Sequence, residues 1–220
     1  PEIVLSMCNT MRVGGVLVEL GEKERAWYKT ALNDMASKGE RCLGLAYQIQ
    51  PTEDGKILES GYTFTGLVGM LDPPRKEVPD ALQKCRGAGI RVFMLTGDFG
   101  LTARTIAKAI GLISSQNNDP EIEAGECDIE EGRLRTSRVV EGSELDAMSE
   151  EELSEVLDIK ELVFARISPA QKLQIVKALQ AKGEVVTVTG DGVNDAPALK
   201  NADMGVAMGL MGTDVAKEAS

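Results

Sequence analysis

After Pro79, short apolar runs and segments of helical composition take turns along the chain. "IRVFML", "LVFA", "EVVTVT" and "MGVAMG" are each followed or preceded by an amphipathic stretch. This alternation constrains the fold more than anything else in the sequence. Strands joined through helices return by right-handed crossovers, which builds a parallel sheet covered on both faces. Helices are predicted from Pro79 to Arg86 and from Leu101 to Ile110. Another starts at Ser168 as N-cap, with Pro169 at its first position and Gln171 completing a capping box. The expected class is α/β.

The first third reads differently. "VGGVLVEL" suggests a strand, and Glu22 to Lys38 has helical composition with Gly39 as its stop. "RCLGLAYQI" (41–49) and "YTFTGLVGML" (62–71) read as strands, with "QPTEDGK" as the turn between them. "DPPRKEV" then breaks the chain, because Pro73 and Pro74 cannot continue a ladder. A domain boundary is expected there, with a mixed unit over 1–70 and an α/β unit over 71–220. Between Ser114 and Glu161 the periodicity weakens, and this acidic region is read as an insertion in which "QNNDPEIEAGECDIEEG" is solvated. Within it, "SEEE" from Ser149 to Glu152 has capping-box spacing and predicts a short surface helix.

Composition removes whole classes of function. A formal charge of -11, without a basic stripe, argues against nucleic acid as a partner. The chain has no histidine, which excludes Ser-His-Asp and Cys-His catalysis and His-ligated zinc together. Carboxylate, lysine, hydroxyl and magnesium chemistry remain. Cys8, Cys42, Cys85 and Cys127 form no C-x-x-C pair and read as reduced thiols in a cytosolic setting. No apolar run reaches the roughly 20 residues of a membrane helix. The opening "PEIVLSMC" has no initiator Met and "TDVAKEAS" stops in a helical pattern, so a piece of something longer is expected.

Ligands of parallel α/β sheets sit beyond the carboxyl ends of the strands. Two such ends carry Thr-Gly-Asp: "MLTGDFG" and "VTGDGVND". Gly97, Gly190 and Gly192 let backbone amides approach a ligand, and amides at a helix N-terminus attract phosphate. Asp191 and Asp195 lie four apart, and two facing carboxylates are tolerable only with a proton or a cation between them. With oxygen ligands alone, that cation is magnesium. Asn194 adds an uncharged hydrogen-bonding group. Lys172, near the start of a helix, is electrostatically misplaced unless something anionic lies nearby. Singly, each feature has a plainer explanation: an ordinary turn with Asp as N-cap, a solvated Lys172, a surface Arg41 on an edge strand. Together they are far more specific.

The composite resembles the haloacid-dehalogenase-type phosphoryl-transfer core, and more narrowly the cytoplasmic part of a P-type cation-transporting ATPase. "TGDGVNDAPALKNADMGVAMG", "GLVGMLDPPR", "MLTGD" and "VFARISPAQK" are similar to that family's motifs and fall in its order. "DPPR" and "GTDVAKEAS" resemble the branch of calcium, sodium-potassium and proton-potassium pumps. The resemblance covers almost the whole chain. It implies the end of a nucleotide-binding domain over 1–70 and a Rossmann-like phosphorylation domain over 71–220, with ATP and Mg2+ as substrate and cofactor.

By motif, the resemblance implies that Thr96, Gly97 and Asp98 contact the nucleotide or the transferred phosphoryl group. Lys172 would neutralise phosphate charge, Asp191 would ligate magnesium with Asp195 beside it, and Asn194 would hydrogen-bond the phosphoryl group. Arg166 would reach the nucleotide, Arg41 would be a phosphate-facing arginine, and Asp72 would sit at the hinge. It also implies a cytoplasmic location on an integral membrane protein, whose membrane helices and actuator domain would be partners. One departure stands out: the family's Asp-Lys-Thr-Gly-Thr nucleophile motif occurs nowhere in these 220 residues, so the chain alone is expected to be inactive. A soluble phosphatase of the same superfamily would need an Asp-x-Asp nucleophile near the N-terminus, which is absent. A non-catalytic nucleotide-binding or regulatory module of the same fold is the rival expectation.

Overall fold

A computed structural model describes residues 1–49, 60–114 and 137–220. The chain divides into two units, Pro1–Pro73 and Pro74–Ser220. The predicted turn "QPTEDGK", the stretch "QNNDPEIEAGECDIEEG" and Cys127 lie outside the described residues.

In the first unit, α1 (Glu2–Ser6), β1 (Cys8–Val13), β2 (Val16–Glu19), α2 (Glu22–Ser37), β3 (Arg41–Tyr47) and β4 (Tyr62–Met70) succeed one another along the chain. The strands form one mixed sheet, β2-β1-β4-β3, in which β1 runs parallel to β4 and the other pairs are antiparallel. "VGGVLVEL" is not a single strand. Gly14 and Gly15 have φ of 56° and 86°, values a hairpin turn needs and glycine adopts without strain, so they end β1 and begin β2. Gly39, at φ 82°, stops α2 as expected. Cys8, Met11, Leu20 and Phe64 form the core, with Tyr28 edge-on to Phe64 at 4.5 Å. The Arg25 side chain ties α2 to the carbonyls of Leu5 and Cys8. Burial pushes the Cys8 thiol up, with Arg25 opposing it weakly, and Cys8, Cys42 and Cys85 are free thiols.

The second unit is α/β. Its elements are α3 (Val78–Gly87), β5 (Phe93–Leu95), α4 (Gly100–Ala109), β6 (Ser137–Glu141), α5 (Gly142–Ala147), α6 (Glu150–Val156), β7 (Glu161–Ala165) and α7 (Pro169–Ala181). Then come β8 (Thr187–Gly190), a 3-10 turn (Val193–Asp195), α8 (Ala196–Asn201), β9 (Met204–Ala207) and α9 (Asp214–Ala219). All strand pairs here are parallel. The described strands form two ladders, β5-β7-β6 and β8-β9. β7 is the central strand of the first, and Leu162 to Ala165 are each 0% exposed. Leu162 and Phe164 pack into one apolar cluster with Val140, Ile175 and Val176. Val163 and Ala165 pack into another with Leu82, Ala103 and Ala107, so helices cover both faces.

The acidic region read as an insertion needs correction. Ser137–Glu141 is a strand paired along its length with β7, and Val140, Leu145, Leu153, Val156 and Leu157 are buried. These apolar residues are spaced too unevenly among acids to show a period. The capping box that starts α6 was legible, and Ser149 and Glu152 bond reciprocally.

Candidate functional site

The two Thr-Gly-Asp turns end β5 and β8. In the first, the Thr96 hydroxyl accepts the Asp98 N–H at 3.1 Å, closing the turn on itself. The Thr96 N–H donates to the Phe164 carbonyl at 2.9 Å. Arg166 N–H donates to the Asp98 carbonyl at 3.0 Å, and Ile167 N–H to that of Thr96 at 3.2 Å. These bonds fasten the loop after β7 to the loop after β5. Arg166 sits at φ 51°, the one left-handed non-glycine among the described residues, and its guanidinium lies 4.8 Å from the Phe99 ring centroid. Thr96, Asp98 and Arg166 therefore form one bonded group. Gly97 is exposed, with open space where a Cβ would stand. Asp98 is not the N-cap of α4; that position is Phe99.

The second turn is organised by a side chain. Asp195 Oδ2 accepts the N–H groups of Asp191 at 3.3 Å and Gly192 at 3.1 Å. Its Oδ1 accepts Lys172 Nζ at 2.7 Å. Both side chains of this pair are mostly buried, at 14% and 16% exposure for Lys172 and Asp195. Burial pushes the Asp195 carboxyl up. The Lys172 ammonium and the two turn amides outweigh that and hold it below the usual carboxylate range. Gly190 has to be glycine for a steric reason, because a Cβ there would stand 2.5 Å from that of Asp195. The Gly190 carbonyl accepts Met208 N–H at 3.2 Å and the Asp191 carbonyl accepts Thr213 N–H at 2.8 Å, tying the turn to the chain beyond β9.

Lys172 holds its place because α7 starts where it does. Ser168 accepts the Gln171 N–H and the Gln171 side chain returns the bond to the Ser168 N–H, with Pro169 between them. The next residue is Lys172. The cation expected between Asp191 and Asp195 is thus met, on the Asp195 side, by an ammonium. Asp191 and Asn194 stay exposed at the turn. Among the described residues no three Cys, Asp or Glu side chains converge on a metal position. A single hard carboxylate at Asp191 still suits magnesium, which commonly takes one or two protein carboxylates and completes its shell with phosphate oxygens and water. Arg41 is exposed at the start of β3 in the first unit. Sequence reading missed Gly142, Asp146 and the buried half of Gln171, and also Asp203, which accepts the Val186 N–H at 2.9 Å. Those bonds span distant positions, and only the local capping box gave a signal.

The second unit thus carries parallel strands with glycine-rich, acidic ends, one of which meets a mostly buried lysine. Comparison with known proteins narrows this. Residues 1–77 match the model for the P-type ATPase cytoplasmic domain N. Potassium-transporting ATPase alpha chain 1 of Xenopus laevis is 45% identical over all of this chain and 23% of its own length. Sodium/potassium-transporting ATPase subunit alpha-2 of Rattus norvegicus is 42% identical, again over 100% of this chain and 23% of its own. These matches support reading the chain as a fragment of a P-type cation-transporting ATPase. It spans less than a quarter of the length of these relatives. No described helix is long and apolar enough to cross a membrane.

Proposed function

We propose that the chain is the ATP-binding and phosphorylation region, on the cytoplasmic side, of a membrane pump that couples Mg2+-dependent ATP hydrolysis to cation transport through an aspartyl-phosphate. The observation that carries this is the second turn. Lys172 is held at 2.7 Å from Asp195, and the same carboxylate braces the amides of Asp191 and Gly192. Lys172 would face the transferred phosphoryl group, Asn194 would hydrogen-bond it, and Asp195 would keep the lysine in place. Asp191 would hold magnesium, which when bound neutralises charge on the phosphoryl oxygens. Thr96, Gly97 and Asp98 would meet the phosphoryl group or nucleotide from the other turn. Arg166, and Arg41 from residues 1–70 as the end of the nucleotide-binding domain, would reach the nucleotide.

The nucleophile would come from elsewhere in the parent protein, together with the actuator domain and membrane helices as partners. β5 and β8 both end in Thr-Gly-Asp, and each has one strand neighbour among the described residues. A strand between them would complete a Rossmann-like, haloacid-dehalogenase-type sheet over 71–220 and bring an aspartate to the two turns. The 220 residues alone would then hydrolyse no ATP. Asp191→Asn in the full-length protein tests the assignment: magnesium-dependent phosphoenzyme should be abolished while the fold is kept. Phosphoenzyme at the wild-type level in that variant would sink it.

A further inference from the structure

Gln171 does more than cap a helix. The residue is 9% exposed, so each of its polar groups needs a partner. Oε1 accepts the Ser168 N–H at 2.8 Å, which is the capping bond. Nε2 donates twice in the other direction, to the Gly142 carbonyl at 2.8 Å and to Asp146 Oδ1 at 2.7 Å. Three of the four bonds an amide side chain can make are therefore filled. Gly142 is itself pressed against the loop after β7. A Cβ on it would stand 2.4 Å from the Arg166 carbonyl oxygen and 3.1 Å from Gln171 Oε1. One amide thus fixes the start of α7 against the corner between β6 and α5, and the close approach of Gly142 sets that corner against the left-handed turn at Arg166.

We infer that Gln171, through Gly142 and Asp146, is a positioning residue for the segment from Arg166 to Lys172. The inference rests on the phosphoryl-facing role proposed for Lys172. Gln171 sits beside Lys172 at the first turn of α7, so a shift of the bracket shifts the ammonium that meets Asp195. Misplacement by about 1 Å can cost on the order of a hundredfold in rate. A partial loss of the bracket should cost less.

The test separates positioning from bulk stability. Gln171→Glu keeps the acceptor for the Ser168 N–H, since Glu serves a capping box as well as Gln. It has no N–H for the Gly142 carbonyl and sets a carboxylate against Asp146. Gln180 lies on the same helix and donates to the Asn201 carbonyl at 3.0 Å and to Asp203 Oδ2 at 3.2 Å. Gln180→Glu therefore delivers the same chemical insult away from Lys172. In the full-length protein, Gln171→Glu should slow phosphoenzyme formation from ATP about tenfold, and Gln180→Glu by less than about twofold. Asp146→Asn, placed on Gln171→Glu, supplies a donor to the new carboxylate while the Gly142 carbonyl stays unpaired, and should restore part of the rate. Equal slowing by the two glutamine variants, or a loss that Asp146→Asn leaves untouched, would overturn the inference. If Gln171→Glu does not accumulate, Asp146→Ala serves instead. It removes an exposed acceptor and should slow phosphorylation about threefold, and an unchanged rate would again overturn the bracket. Lys172→Ala is run beside them. A normal rate there removes the role proposed for Lys172 and the inference with it, whereas a slow Lys172→Ala beside a normal Gln171→Glu removes the inference alone.

Discussion

The two Thr-Gly-Asp turns have the same three residues after the same kind of strand, and they are held differently. The turn at Thr96 is fixed through backbone: three main-chain bonds join it to β7 and the adjoining loop, and the threonine hydroxyl closes it. The turn at Thr189 also has backbone bonds, from Met208 and Thr213, but its own amides are held by one side chain, Asp195, which takes two of them and the Lys172 ammonium. A tripeptide therefore does not specify its own surroundings. The residues C-terminal to it decide. The first turn leads into a helix with an uncapped start at Phe99, the second into a short turn closed by a carboxylate. A turn held by backbone tolerates side-chain change. One held by a single carboxylate does not.

The sharpest way to break this contrast is Asp195→Asn. The amide can still accept from the turn, but its Nδ2 meets the Lys172 ammonium and leaves that mostly buried charge without a partner. A loss of about 2 kcal/mol is expected at neutral pH, read as a lower urea midpoint at unchanged slope. Thr96→Val, by contrast, removes one neutral hydrogen bond and should cost about 1 kcal/mol or less. Acid supplies a second check. The folded Asp195 carboxyl titrates below its ordinary range, so its contribution is complete above the unfolded value and is lost as pH falls through the folded one. The gap between wild type and Asp195→Asn should hold steady near neutrality and close in strong acid. A gap that widened on acidification would place the stabilising group elsewhere.

Much of this was legible in the sequence, for reasons that differ by residue. The capping boxes at Ser149 and Ser168 are local, with both partners three residues apart, so spacing alone identifies them. β7 is buried on both faces, which writes "LVFA" as an unbroken apolar run. β6 is also in the sheet, but Arg138 and Glu141 flank its two valines and acids surround it, so composition spoke louder than pattern. β1 buries Cys8 and Met11, three apart rather than two, among Asn9, Thr10 and Arg12, and no turn signal preceded it. At the site, Lys172 and Asp195 could each be named. Their ion pair could not, because 23 residues separate them and the packing of α7 against the 3-10 turn and α8 brings them together.

The glycines sharpen the contrast at smaller cost. At Gly190 an added methyl would stand 2.5 Å from Asp195 Cβ and 2.8 Å from its Cγ. No real Cβ contact is that short, so Gly190→Ala must push the carboxylate off its amides or bend the turn. The expected loss is about 1–2 kcal/mol. It should be smaller in an Asp195→Gly background, which removes the Cβ it would strike. Equal losses in both backgrounds would show that the strain falls on backbone instead.

The smallest effect on stability is expected at Gly97, the matching glycine of the other turn. Nothing lies within 4 Å of the position its Cβ would take. Its φ is not in the left-handed region, so alanine meets neither a steric nor a conformational penalty there. Gly97→Ala should therefore stay within about 0.5 kcal/mol of wild type. If fold alone explained this glycine, the variant would also phosphorylate normally. Open space beside an amide at the start of a helix is where a phosphate oxygen would come closest, and a methyl group would stand in its way. In the full-length protein, Gly97→Ala is expected to keep its unfolding midpoint and to raise the ATP concentration needed for half-maximal phosphorylation several-fold. An unchanged midpoint with unchanged ATP dependence would leave the first turn a structural element only. The phosphate would then belong to the turn that Asp195 builds.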